Sequence, residues 1–345
     1  MERAERDYGL KTIHPHLSSS IKDFILRKGK RIRPLLLILS YQGYKKKNSR
    51  ITKDVYDASI CIELLHNFML IHDDIIDCSD LRRGKPTMHK MLRQTLKTDN
   101  LEKLGLDLGI IAGDIVYAMA IEAFLSFKES PDRMKKAQRY FIQTAALTAM
   151  GECVDTLNGV MPMHKISEKD VFLNYSLKTA RYTFDCPLVV GALLAGAKDT
   201  EVRRLAELGL VIGQAFQIQD DIIGIFDTEK NIGKSVLSDL QESKKTILTC
   251  HAYATLKGKA RKDFLYYFSK KKIGYADLRA VRNILTETGS LTYAFGHVRQ
   301  RLDRAATILD QLKMKPKYKK LVKESFDQLF RHTHRIADLF IKDAR

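Results

Sequence analysis

Apolar residues recur at helical intervals over most of the chain. Between positions 55 and 76 they fall at Ile60, Leu64, Phe68, Ile71 and Ile75, and the same spacing returns over 101–127, 133–160, 202–225, 244–256, 289–312 and 318–340. Each stretch predicts an amphipathic helix, and none sustains the period-two alternation of a half-buried strand. Breakers fall between them: Gly84 and Pro86, Ser130-Pro131, Pro162, Pro187, Gly196, Gly233, Gly258 and Lys315-Pro316. Several helices exceed the average globular length, as in a bundle around a deep cavity. With no low-complexity linker and no fixed-period repeat, the expectation is an all-α fold, one helical domain over residues 1–345 around a central cavity.

Composition sharpens this picture in three places. The chain has 345 residues, 45% apolar and 29% charged, which supports a large core and excludes a disordered chain. The 19 glycines and 7 prolines are too few to punctuate many short strands. Five cysteines (Cys61, Cys78, Cys153, Cys186 and Cys250) form no CxxC pair and predict a reducing compartment. Positions 1–20 carry no apolar core of a secretory signal, so the expected location is cytoplasmic. The most membrane-like run, 106–125, contains Asp107, Asp114 and Glu122, which predicts a buried helix and no membrane span.

The formal charge is +18. Its short runs, at 45–47, 270–272 and 313–320, lie near acids and are not interleaved with tryptophan, so they read as solvated surface and not as a nucleic-acid stripe. A subset could serve a small polyanionic substrate.

Chemistry concentrates in two acidic stretches. In LLHNFMLIHDDIIDCSDLRRGKPT, which starts at Leu64, Asp77 lies ~40° from Asp73 around a helix and Asp74 ~100° from it, so three carboxylates crowd one face near a helix end. Apolar Leu70, Ile71, Ile75 and Ile76 flank them. Buried like charges repel unless a hard divalent cation such as Mg2+ is bound; a solvent-exposed acidic helix end is the alternative for either motif alone. A second pair, Asp220-Asp221, also ends an amphipathic helix, with Gln217 one turn before Asp221. Cations follow both: Arg82, Arg83 and Lys85 after the first, Lys234, Lys244 and Lys245 after the second. Metal-type carboxylates beside arginine and lysine make up the chemistry of a diphosphate site.

The order DDxxD, LRRGKPT, KT, FQxxDD and GK, from Gly29 to about Lys245, resembles the trans prenyl diphosphate synthases of the polyprenyl synthetase family. The resemblance implies an all-α homodimer that requires Mg2+ and condenses isopentenyl diphosphate with an allylic diphosphate (dimethylallyl, geranyl or farnesyl). Carried over by motif, Asp73 and Asp77 resemble direct metal ligands with Asp74 supporting. Asp220 resembles the ligand of the second motif, with Asp221 and Asp239 behind it. Arg82, Lys178, Lys234 and Lys244 are similar to allylic diphosphate ligands. Gly29, Lys30, Arg33, His66 and Arg83 imply the isopentenyl diphosphate pocket, and Thr179 and Gln217 resemble polar groups lining the developing carbocation. The sequence departs from the family pattern at four places: Gly224 replaces a third aspartate, Lys28 a glycine, Glu152 a glutamine and Ser243 a glycine.

Residues beneath the first motif set product length by the same resemblance. Met69 lies one turn below Asp73, Leu65 two turns below, and Phe68 five residues before it. An aromatic at that position limits elongation in the family, which implies geranylgeranyl diphosphate as product, with farnesyl diphosphate the alternative. A class I terpene cyclase shares DDxxD but needs no second diphosphate pocket. An inactive regulatory subunit would lack ligands, and only Gly224 points that way.

Overall fold

The periodic stretches fold as helices with bounds close to those their patterns predict. The computed structural model describes residues 2–46, 53–93, 100–227, 236–270 and 272–340. They cluster into two compact units, the first of residues 1–38 and 48–130, the second of residues 39–47 and 131–345.

The first unit contains α1 (Glu2–Tyr8), α2 (Leu10–Ile13), α3 (Pro15–Leu26), the start of α4 (Ile32–Tyr44), α5 (Lys53–Ile76), a two-stranded hairpin of β1 (Leu81–Arg82) and β2 (Lys85–Pro86), α6 (Met88–Arg93) and α7 (Leu101–Leu125). Helix α5 is its axis. Ala58, Cys61, Ile62, Leu65 and Ile71 are wholly buried along it, and each large apolar side chain contributes about 2 kcal/mol. Helix α7 meets α5 at glycines: a Cβ on Gly113 would stand 2.2 Å from His72 Nε2, and one on Gly109 would stand 2.9 Å from Ile75 Cδ1. The expectation that this apolar run is buried holds on one face only. Its most apolar window is 39% buried, and the helix is long and apolar enough to cross a membrane by length and composition. Ile110, Ile111 and Leu125 are 45%, 48% and 57% exposed. Period-two alternation is absent from the sequence, and the hairpin arises from turn chemistry instead. Arg83 and Gly84, its two central residues, both sit at positive φ (57° and 73°), as the tight primed hairpin turn requires.

The second unit contains α8 (Pro131–Val160), a 3-10 turn (Met163–Lys165), α9 (Glu168–Asn174), a π-helical stretch (Tyr175–Asp185), α10 (Cys186–Ala195), α11 (Asp199–Phe226), α12 (Ser238–Gln241), α13 (Ile247–Thr255), α14 (Gly258–Ser269), α15 (Tyr275–Glu287), α16 (Ser290–Gln311) and α17 (Pro316–Phe340). Helix α10 is apolar on all sides and buries nine of its ten residues, so it lies in the core. Gly196, at φ 78°, ends it with a left-handed cap. Ser167 and Asp170 start α9 with a reciprocal capping box.

From α9 the chain runs through the π-helical stretch into α10 without a break. Glycines on both neighbouring helices receive the widened backbone. A Cβ on Gly151 of α8 would meet Lys178 N at 2.4 Å, and Cβ atoms on Gly213 and Gly209 of α11 would meet the Cα atoms of Ala180 and Asp185 at 2.3 Å. Backbone contact at that distance is possible only without a side chain. The expectation that Asp220-Asp221 end their helix is corrected here, since α11 continues to Phe226.

Candidate active site

The first unit assembles the first acidic motif and its cations. Asp73 and Asp74 lie in the last turn of α5, and Asp77 follows with its amide on the Asp73 carbonyl at 2.8 Å. Carboxylate oxygens of Asp73 and Asp77 come within 4.8 Å of each other and both side chains are half-buried. Asp74, ~100° around the helix, is fully buried instead. It faces Arg82, whose Nε donates to Asp74 Oδ1 at 2.7 Å while Nη2 donates to Asp73 Oδ2 at 2.9 Å. Burial pushes the Asp74 pKa up to about 6, against the pull of Arg82, and its Oδ2 is buried with no hydrogen-bond partner. The hairpin turn brings Arg82 to this position.

His66, 8% exposed and seven residues or about two turns before Asp73, lies within electrostatic reach of four arginines. Burial first, then Arg33, Arg83, Arg82 and Arg31, hold its pKa well below the usual imidazole value. His66 is therefore neutral and offers one N–H donor and one acceptor. Arg83 donates to the Arg27 carbonyl at 3.2 Å, and burial followed by Arg31 lowers its own pKa. Gly29 is explained by contact and not by φ: a Cβ there would lie 3.0 Å from the Arg83 guanidinium. Lys28 is absent from the residues at positive φ, so replacing a glycine there introduces no backbone strain. Lys30 is exposed just before α4, and Arg33 is half-buried in its first turn.

Sequence reasoning did not single out Arg27 or Arg31. Arg27 is buried and donates to Asp23 at 2.9 Å and to the Pro86 carbonyl at 2.9 Å. Arg31 pairs with Glu63 and sits at φ 49°, a left-handed backbone that costs on the order of 1 kcal/mol. Nothing in their spacing separates these two arginines from solvated ones.

Under the first motif, Leu65 is fully buried while Phe68 and Met69 are partly exposed. The Phe68 ring lies 4.8 Å from Tyr117 of α7 and 4.7 Å edge-on to His72. Tyr117 went unremarked in the sequence because it lies 49 residues away from Phe68.

The second unit brings together the later motifs. On the π-helical stretch, Lys178 Nζ reaches Asp155 Oδ2 at 2.6 Å and Glu152 Oε1 at 3.0 Å, and Asn174 donates to Asp155 at 2.7 Å. The departure at Glu152 thus gives Lys178 a second carboxylate. Thr179 Oγ1 donates to Gln217 Oε1 at 2.5 Å, and Gln217 Nε2 donates to Asp221 Oδ1 at 3.0 Å. Asp220 is exposed and Asp221 buried, so the adjacent acids occupy different environments. Burial pushes the Asp221 pKa up to about 7, opposed by hydrogen bonds from Tyr175 and Gln217.

Two departures from the family pattern find a physical reason here. A Cβ on Gly224 would meet Asp239 Oδ2 at 2.1 Å, so the carboxylate of Asp239 fills the space that a third aspartate would need. Ser243 sits at φ 52°, the conformation a glycine adopts freely, and its hydroxyl donates to the Phe268 carbonyl at 3.0 Å. Lys244, next to it, reaches Glu242 at 2.9 Å and Asp239 at 3.4 Å. Lys234 lies outside the described residues.

The donor set fits Mg2+. Asp73 and Asp77 offer hard carboxylate oxygens within 4.8 Å of each other, and as two single ligands they would leave most of an octahedron to water or phosphate.

A model of the polyprenyl synthetase family matches residues 14–285. Geranylgeranyl diphosphate synthase of Sulfolobus acidocaldarius is 34% identical over 83% of this chain and 82% of its own. Geranylfarnesyl diphosphate synthase of Aeropyrum pernix is 30% identical over 86% of this chain and 87% of its own. Among solved structures, geranylgeranyl pyrophosphate synthase from Corynebacterium glutamicum, complexed with isoprenyl diphosphate and magnesium, superposes with a TM-score of 0.84. It is 25% identical, over 91% of this chain and 90% of that one.

Proposed function

Since the chain belongs to the polyprenyl synthetase family, we propose that it is a prenyl diphosphate synthase, joining isopentenyl diphosphate to allylic diphosphates to make geranylgeranyl diphosphate. The observation that carries this reading is a juxtaposition on α5. Asp73, with Asp77 just past the helix end, lies about 10 Å along α5 from neutral His66 and the four arginines that act on it. One element therefore presents a metal-type donor pair beside an anion pocket.

Asp73, Asp77 and Asp220 are the residues that would hold Mg2+, with Asp221 and Asp239 behind Asp220. When bound, the ion neutralises charge building on the departing diphosphate. Arg82, Lys178, Lys234 and Lys244 are assigned to the allylic diphosphate. Lys178 exchanges Glu152 and Asp155 for phosphate oxygens as substrate enters, so its charge is set against the leaving group.

The allylic C–O bond breaks, and the double bond of isopentenyl diphosphate attacks the resulting cation. Gly29, Lys30, Arg33, His66 and Arg83 hold the second substrate for that attack. Neutral His66 donates an N–H without adding charge near the cation. Thr179 and Gln217 turn oxygens toward the cation. A proton then leaves to the released diphosphate, so no side chain has to act as a strong base.

Phe68, Met69 and Leu65 form the floor that stops elongation, and the ring contact with Tyr117 stiffens it. The half-exposed apolar face of α7 is assigned to a second copy of the chain, which makes the active form a homodimer. Five free thiols suit a reducing cytoplasm.

The test is incubation of the protein with Mg2+, labelled isopentenyl diphosphate and each of dimethylallyl, geranyl and farnesyl diphosphate, followed by sizing of the products. Elongation to geranylgeranyl diphosphate from all three is expected. Loss of an allylic diphosphate with no uptake of label would instead mark a cyclase. Sedimentation at assay concentration tests the dimer.

A further inference from the structure

Helix α16 lies beyond residue 285, where the match to the family model ends, yet one of its side chains is linked through α11 to the π-helical stretch. Arg301 Nε donates to Gln214 Oε1 at 3.0 Å, Gln214 Nε2 donates to Ser176 Oγ at 2.9 Å, and Ser176 Oγ donates to the Phe172 carbonyl at 2.6 Å. The first link dictates the direction of the others. A guanidinium only donates, so it must meet the oxygen of Gln214; the amide nitrogen then faces Ser176, whose own proton is left for Phe172. The guanidinium carbon also lies 4.1 Å from the centre of the Phe172 ring, and Nη1 donates to the His297 carbonyl at 3.2 Å.

Among the described residues Arg301 makes no salt bridge, and burial lowers its pKa. A Met or Leu could cover Phe172 at lower desolvation cost, so what the guanidinium adds is its hydrogen bonds, to His297 on its own helix and to Gln214 on α11. Only the second ties α16 to another element. The targets of that bond are adjacent to chemistry. Ser176 is two residues before Lys178, and Gln214 is three before Gln217, the acceptor for Thr179.

We propose that Arg301 is a positioning residue for ionisation of the allylic substrate. Through Gln214 and Ser176 it fixes the π-helical stretch against α11, and so holds Lys178 and the Thr179–Gln217 pair in register with the allylic diphosphate. This rests on the prenyl diphosphate synthase reading.

Steady-state kinetics of wild type, Arg301→Met, Arg301→Lys and Gln214→Glu, each checked by circular dichroism and thermal melting, test the proposal. Gln214→Glu keeps an acceptor for Arg301 but removes the donor to Ser176, whose hydroxyl can stay bonded to position 214 only by leaving the Phe172 carbonyl, so the relay is disrupted with α16 still attached. Arg301→Met and Gln214→Glu should lower kcat about tenfold and raise KM for geranyl diphosphate, with KM for isopentenyl diphosphate unchanged. Arg301→Lys, which keeps one donor, should recover most of kcat. Variants that melt earlier but retain kcat and both KM values would reduce Arg301 to a structural role and overturn the proposal. So would an equal change in both KM values. A wild type that consumes no isopentenyl diphosphate with any primer removes the enzymatic reading itself, and this inference with it, whereas active wild type beside unchanged variants removes the inference alone.

Discussion

The Tyr175 phenol donates to the Asp221 carboxylate and accepts from the Ile247 amide at 3.0 Å, so one buried hydroxyl ties the π-helical stretch, α11 and α13 together. Tyr175→Phe leaves two buried polar groups each short of a partner. A loss of about 2–4 kcal/mol is expected in urea unfolding, with a fall in kcat because Asp221 also anchors Gln217. Unchanged stability would mean that water replaces the phenol.

Asp185 gives stability a pH dependence of its own. Its carboxylate accepts from Tyr140 at 2.6 Å and lies 3.4 Å from Arg181, yet burial pushes its pKa up from 3.8 to about 7. Between those values the folded state binds the proton more tightly than the unfolded chain, so stability falls as pH rises through this window. The full effect is on the order of a few kcal/mol. Asp185→Asn should unfold at higher urea than wild type at pH 8, and the advantage should vanish near pH 4.

Restoring a third aspartate at position 224 should harm the enzyme. In Gly224→Asp the new side chain meets Asp239 within 2.1 Å of its Cβ and expels that carboxylate. A drop in kcat of tenfold or more is expected, with an increased Mg2+ requirement. Gly224→Asp combined with Asp239→Ala should recover part of the loss; a double variant as poor as the product of the two single ones would refute the shared space.

Product length should respond to two rings, not one. Phe68→Ala is expected to shift products toward longer chains, and Tyr117→Ala to do so less, since Tyr117 acts through its 4.8 Å contact with Phe68. Chromatography of extracted products checks both, and an unchanged distribution in Phe68→Ala would remove the floor from this position.

What the sequence revealed and what it concealed divide along a physical line. Helical periodicity marks α5, α7, α8, α11, α16 and α17 almost residue by residue, because each must bury one stripe. The same arithmetic puts Asp73, Asp74 and Asp77 on one face, and the structure corrects it by turning Asp74 inward onto Arg82. It says nothing to separate Asp220 from Asp221, since which of two neighbours faces the core depends on helices far away in sequence. The π-helical stretch was equally hidden. Its i to i+5 bonding leaves no simple period, and only Gly151, Gly209 and Gly213, isolated within helices, hinted at close backbone contact. Tyr175, Arg31 and Arg301 belong to no recognised motif and needed coordinates. Ser243 is the opposite case, a departure visible in sequence whose meaning, a left-handed backbone, is visible only in the structure.

The neutral imidazole of His66 among four arginines has a consequence for pH dependence. Guanidinium groups do not titrate in the biological range, and His66 is held uncharged by its surroundings. The anion pocket therefore keeps a constant charge when the surrounding medium acidifies. On the proposed assignment of this pocket, the pH dependence of isopentenyl diphosphate binding would come from the ionisation of the substrate alone.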